Sequence, residues 1–185
     1  MGDLGERAGR PSAVIWLVCH YPDHVEADER VRAAAELHRV LGLPIWLFGS
    51  VSAQYPESVE GLLRRKLLAE GVPSVAVLCS ADRRDASESL DTVQEAANVL
   101  TAARHDGVTT LVCVSNRLQL LQIRGLLRRA PVRLVFAPVP LRDLGWWYVL
   151  ARLALIPLAF AGAGPRFWPL VLLRRARASR ATWRF

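Results

Sequence analysis

Short apolar runs alternate along this chain with longer segments that repeat at helical spacing. Residues 13–19 (AVIWLVC) form a continuous apolar run of the kind found in strands covered on both faces. From Val25 to Leu41 the pattern changes. Val31, Ala34, Ala35 and the positions around Leu37 and Leu41 recur at steps of three and four, which predicts a helix closed by Gly42. The alternation then repeats, with strands predicted at 45–48, 75–79, 108–114 and 132–136. Helices are predicted between them at 56–70, 92–104 and 118–129. Gly71 stands where a left-handed helix cap is expected.

Strands separated by helices of ten or more residues imply βαβ crossovers, which wind right-handed. The expected fold is α/β: a Rossmann-like open, mostly parallel sheet of about five strands with helices on both faces, followed by a C-terminal helical extension. Residues 1–12 read as a flexible arm, 13–140 as the α/β domain and 141–185 as an apolar, arginine-rich helical tail. The pattern does not fix the strand order.

In such a sheet, ligands sit beyond the carboxyl ends of the strands, where helix N-termini present free N–H groups. The candidates are therefore His20 and Asp23 after the first strand, Gly49 and Ser50 after the second, the stretch from Ser80 to Thr92 after the third, and Ser115 and Asn116 after the fourth. Small hydroxyl and amide side chains at several strand ends suit a phosphate or another anion.

Composition narrows the setting. With 185 residues and 52% hydrophobic content the chain can bury a core as a single domain. Cys19, Cys79 and Cys113 are odd in number and lack C-x-x-C spacing, so neither a disulfide framework nor a zinc site is indicated. Asp3 and Glu6 precede an apolar run too short for a secretory signal. A cytoplasmic location is expected, with peripheral contact to the inner face of the plasma membrane as the extension the tail suggests. The net charge of +7 is uneven: seven arginines, at 152, 166, 174, 175, 177, 180 and 184, follow Asp143 without a single acid. The remaining 17 basic residues are matched by 17 acidic ones. Basicity confined to an apolar tail points to an anionic membrane surface or an acidic partner, and no specific nucleic acid is expected.

Several chemistries lack support. There is no G-x-G-x-x-G, Walker loop, G-x-S-x-G elbow or H-E-x-x-H. The polar run Asp23, His24, Glu26, Asp28, Glu29 matches no metal motif and reads as a solvated helix start with acids at its positive dipole end. Cys19 beside His20 does not make a nucleophile and base, because neighbours on a strand face opposite ways. The segment from Asp91 to Glu95 contains two overlapping capping patterns, Asp91 with Gln94 and Thr92 with Glu95. Thr92 and Glu95 thus read either as capping residues or as pocket residues.

In the tail, Trp146, Trp147 and Tyr148 precede Phe167 and Trp168 by roughly the length of a membrane-crossing helix. Arg152, Pro157, Gly162, Gly164 and Pro165 oppose a simple span, so two helices are expected from 144 to 173. They would pack on the sheet edge or lie in the membrane interface.

Three stretches carry a family resemblance: ERVRAAAELHRVLGLPIWLFGS (29–50), LLRRKLLAEGVPSVAVL (62–78) with SLDTVQEAANVL (89–100), and LVCVSNRLQLLQIRGLLRR (111–129). In order and spacing they resemble the domain of unknown function 218 family, which includes the YdcF, SanA and ElyC proteins. The resemblance spans roughly residues 13–140. Arg30 and Ala34 match its first helix, Gly49 and Ser50 its glycine-rich strand end, and Gly71, Val72 and Pro73 its turn. Ser89, Thr92, Glu95 and Ala96 match its third motif, followed by Asn98. Ser115 and Asn116 match the start of its last motif, but Gln119 stands at the family's histidine and Gln122 at its arginine. Cys19 and His20 replace a Gly-Gly pair.

The resemblance implies a small anionic or phosphorylated ligand at the strand ends, with cell-envelope or lipid-carrier work in some relatives. It assigns neither a reaction class nor a cofactor. Glutamine can hydrogen-bond a ligand but is neither a general acid or base near neutral pH nor a charged fork, so if the family pocket is catalytic an altered or silent copy is expected. A second expectation follows: a non-catalytic accessory protein that keeps the fold and docks on a membrane or partner through its basic apolar tail.

Overall fold

The computed structural model describes residues 11–18, 25–49, 57–83, 89, 91–142 and 145–162. Five strands, β1 (Ala13–Leu17), β2 (Ile45–Leu47), β3 (Val77–Cys79), β4 (Thr110–Asn116) and β5 (Arg133–Val139), form one all-parallel sheet in the order β3-β2-β1-β4-β5. The crossovers are α1 (Val25–Leu41), α2 (Val59–Ala69), α3 (Thr92–Asp106) and α4 (Arg117–Leu126), and α5 (Trp146–Ala161) follows the last strand. The expected open α/β sheet with helices on both faces is what the chain forms.

Two cores flank the sheet, because side chains of successive strand residues point to opposite faces. Ile15, Leu17, Ile45, Leu47, Val112 and Val114 pack under α1 and α2 with Val31, Ala34, Leu63 and Leu67. Val14, Trp16, Trp46, Leu111 and Cys113 pack under α3 and α4 with Ala96, Val99, Leu120 and Ile123. Right-handed crossovers with this strand order require that division. β1 and β2 read as unbroken apolar runs because both of their faces are covered, whereas the edge strands β3 and β5 expose Leu78 and Val135.

The element boundaries differ from the sequence expectation where local polar groups decide them. The helix expected from 56 starts at Val59, because Ser58 accepts a hydrogen bond from the Gly61 N–H at 3.1 Å and caps it. The strand expected from 75 starts at Val77, after a 3-10 turn over Ser74–Ala76. The fourth strand runs two residues beyond 114. Ser115 and Asn116 pair with Pro138 and Val139 of β5, so they belong to the strand and not to a following loop. Gly71 has φ +84, the left-handed conformation its capping position demands.

In the tail, one helix, α5, runs through Pro157 and packs on α4, and the rest of the two-helix stretch expected to 173 lies outside the described residues. The close approach of α5 is made at Gly125. A Cβ there would lie 2.9 Å from Phe160 Cδ2 and 3.0 Å from both Ala159 Cβ and the Phe160 backbone nitrogen. Residues 163–185 lie outside the described residues, as does the arm expected at 1–12 up to residue 10.

Candidate functional site

β1 and β4 are neighbours, but the chain leaves them toward opposite edges of the sheet. The helices that follow them, α1 and α4, therefore lie on opposite faces, and the sheet's switch point falls at the carboxyl ends of this strand pair. Polar side chains from five elements, α1, α3, β4, α4 and α5, converge there.

Arg30 of α1 is the centre of the group and is 1% exposed. Its Nε donates to Glu26 Oε1 at 2.9 Å, its Nη1 to the Val18 carbonyl at 2.9 Å, and its Nη2 to Gln119 Oε1 at 2.9 Å. Nη2 also donates to Glu26 Oε1, which makes the pair a buried i, i+4 ion pair. Asn116, at the end of β4, uses both ends of its amide. Its Oδ1 accepts the Gln119 N–H at 2.9 Å and so caps α4, while Nδ2 donates to Glu26 Oε1 at 2.7 Å.

Gln119 joins the two halves of the network. Its Oε1 accepts from Arg30 and, at 3.0 Å, from Ser115 Oγ, and its Nε2 donates to Thr92 Oγ1 at 3.0 Å. Two donors converging on one atom and an acceptor facing the other fix the orientation of the amide. Thr92 Oγ1 also accepts from Arg152 Nη1 of α5 at 3.1 Å, and the same Nη1 donates to Gln122 Oε1. Arg152, which the sequence suggested as an obstacle to membrane insertion, is thus turned inward onto the domain.

One group in this network is unmet. Glu26 Oε2 is buried and receives no hydrogen bond. The sequence placed Glu26 on a solvated helix start, but its side chain is fully buried. It turns into the apolar face of α1, where Arg30 neutralises it. The other acids of that run go elsewhere: Asp28 pairs with Lys66 at 2.6 Å and Glu29 with Arg142 at 3.2 Å. Asp23 and His24 lie outside the described residues. Among the described residues no cluster of His, Cys, Asp or Glu is arranged to hold a metal.

Of the residues singled out from the sequence, Thr92, Ser115, Asn116 and Gln119 meet in this one network. Glu95 lies a turn further along α3, is buried, and accepts from Trp16 Nε1 of β1 at 3.0 Å. The N-cap of α3 is Asp91, whose carboxylate accepts from the Val93 and Gln94 N–H groups, both at 2.9 Å. Of the two capping patterns, the structure therefore uses the one that starts at Asp91. Ser89 is buried against Asn98, which donates to its Oγ at 2.8 Å. Gly49 is buried just beyond the end of β2 and hydrogen-bonds Glu60 through its backbone. His20 and Ser50 lie outside the described residues.

Residue type spacing did not single out Glu26 or Arg152, and Arg30 only as a family match. The signal was present for Arg30. It falls in the same helical stripe as Ala27, Val31 and Ala34, all buried, and a charged residue inside an apolar stripe needs a buried partner.

A second polar cluster lies at the ends of β2 and β3. Glu60, of α2, accepts from Ser80 Oγ and, at 3.4 Å, from the Ala81 N–H. Burial outweighs these bonds and pushes its carboxyl above the usual range. A carboxyl raised in the folded state binds its proton more tightly there than in the unfolded chain. Its effect is therefore to lower stability as pH rises from the unfolded value, near 4.5, through the raised one. Glu60→Gln should remove this dependence: urea midpoints should show the variant gaining on the wild type from pH 4 to pH 7, whereas a constant difference would contradict it.

The same measurement reads Asp106 with the opposite sign. Burial raises its carboxyl, but hydrogen bonds from Arg83 and His105 hold it below the usual range, so its contribution is lost as pH falls. Arg83 also lies over the Trp46 ring, 5.3 Å from its centroid.

Chemically, the switch-point group is built to hold and orient. Gln119 and Gln122 carry no group that titrates near neutral pH. The thiols of Cys79 and Cys113 are both pushed up to about 12, by burial first and then by nearby carboxylates, so neither supplies a thiolate nucleophile. No family model matches the chain, and neither the curated proteins nor the solved structures contain a match to it.

Proposed function

We propose that this domain is a divergent relative of the domain of unknown function 218 family. In this reading it binds a small phosphorylated or otherwise anionic ligand bearing hydroxyl groups at the β1/β4 switch point, and binds it without proton-transfer chemistry. The observation that carries the proposal is the convergence of Thr92, Ser115, Asn116 and Gln119 with Arg30 and Glu26 in one buried network.

Stability alone gives little reason for such a group. A buried ion pair contributes little or nothing net over apolar packing of the same volume, and an unmet buried acceptor costs about 1–3 kcal/mol. Its place at the carboxyl ends of the strands is where open α/β sheets hold ligands. Glu26 Oε2 needs a donor, which a ligand hydroxyl provides, while the half-buried Arg152 guanidinium at the α5 side of the group suits an anion. A phosphorylated polyol, such as a sugar phosphate, combines both features.

Thermal shift against nucleotides, sugar phosphates and polyprenyl phosphates tests the proposal. A ligand at a hundred times its Kd adds about 2.7 kcal/mol, or roughly 5–10 °C for a domain of this size. Glu26→Gln places an amide at the unmet position, so the variant should lose most of the shift. A flat response across the panel would leave the proposal without support.

A further inference from the structure

Helix α5 is apolar around most of its circumference, yet only Ala159 is buried among the side chains described along it. Its contact with the domain is made through Ala159 and Phe160 at Gly125 and through Arg152 at Thr92 and Gln122. The opposite side carries Trp146, Leu150 and Leu153, exposed to 60%, 46% and 50%, with Ala154, Pro157 and Ala161 in line with them. These positions recur at steps of three and four, so they form one stripe along the helix. A monomeric soluble domain seldom leaves such a stripe this exposed.

Because Arg152, the one charged residue of α5, is turned inward, the stripe itself is uncharged. The sequence that follows Gly162 adds apolar residues, including Phe167, Trp168 and Leu170 to Leu173, together with six arginines and no acid. An apolar stripe joined to an all-cationic sequence is complementary to an anionic lipid surface. A second copy offers this sequence no counter-charge of its own kind, since the same stretch there again carries six arginines and no acid.

The geometry points to α5 as a docking helix that lies in the interface of an anionic bilayer. It does not span one: with 16 residues it reaches about 24 Å, short of the roughly 30 Å hydrocarbon layer. No helix among the described residues is long and apolar enough to cross. The docked helix holds the carboxyl end of the sheet near the membrane, since Arg152 ties it to the switch-point group. The proposal is independent of the ligand reading and stands if that reading fails.

Flotation of the full-length protein with vesicles of phosphatidylcholine alone, or with about a third phosphatidylglycerol, tests it. The wild type should float with the anionic vesicles, lose binding as salt rises, and stay unbound on the neutral ones. Leu150→Glu with Leu153→Glu changes exposed positions only. It should leave the melting temperature unchanged and weaken vesicle binding by about tenfold or more. A wild type that stays unbound on anionic vesicles would overturn the proposal. So would a double variant that still floats normally, or a wild-type dimer that the double variant converts to monomer, which would make a second copy the occupant.

Discussion

Arg30→Ala should lower the stability of this domain by about 3–5 kcal/mol, a large part of the roughly 5–15 kcal/mol that a domain has. The size follows from what the substitution strands. Removing the guanidinium leaves the buried Glu26 carboxylate without its counter-charge and takes donors from Gln119 Oε1 and the Val18 carbonyl at once. Solvent replaces these donors poorly, because Glu26, Asn116 and Gln119 are all buried. Arg30→Lys should lose less, since it keeps the charge, but an ammonium cannot meet three acceptors held in a guanidinium's plane. Urea denaturation measures both. A loss below about 1 kcal/mol for the alanine variant would mean that the network is not the buried, mutually dependent unit described above.

The second large effect is expected at Gly125. In an isolated helix alanine is about 1 kcal/mol better than glycine, so Gly125→Ala would ordinarily stabilise α4. Here the added methyl meets Phe160 Cδ2 at 2.9 Å and the Phe160 backbone at 3.0 Å. The Phe160 ring can turn aside but the backbone cannot without moving α5. We expect a net loss of about 1–3 kcal/mol for alanine, as for other overpacked contacts. Gly125→Leu should push α5 off α4 and break the Arg152 bonds to Thr92 and Gln122. Hydrogen exchange would show α5 amides losing protection while β1 and β4 keep theirs. A stabilised alanine variant would show that the α4–α5 contact yields easily.

The sheet was legible in the sequence because strands buried on both faces must be apolar without interruption. That rule located the apolar cores of β1, β2 and β3 directly. It misjudged β4, where Ser115 and Asn116 end the apolar run but remain in the strand through backbone pairing with β5. The strand order was not legible, since parallel pairing joins residues as distant as Ala13 and Thr110, and no local pattern records that.

The strand-end rule reached Thr92, Ser115 and Asn116 of the candidate site, and Gln119 came only through the family resemblance. Arg30 and Glu26 were missed as a buried pair because an i, i+4 pair on a helix is ordinarily a surface feature. Only its position in the apolar stripe of α1 marks it as internal. Arg152 was weighed as a cost to a membrane helix, whereas its partners come from α3 and α4, 60 and 30 residues away. Gln119 and Gln122 departed from the family pattern as lost chemistry, and the fold uses both as acceptors that tie helices together.

If the proposed ligand binds at the switch-point network, amide and side-chain NMR during titration with a hexose phosphate should show shifts in the Asn116 and Gln119 side-chain amides, the Arg30 Nε–H and the backbone of Ser115, with Val75 and Leu121 unmoved. Saturating shifts confined to residues outside that network, or none at all, would contradict the proposal.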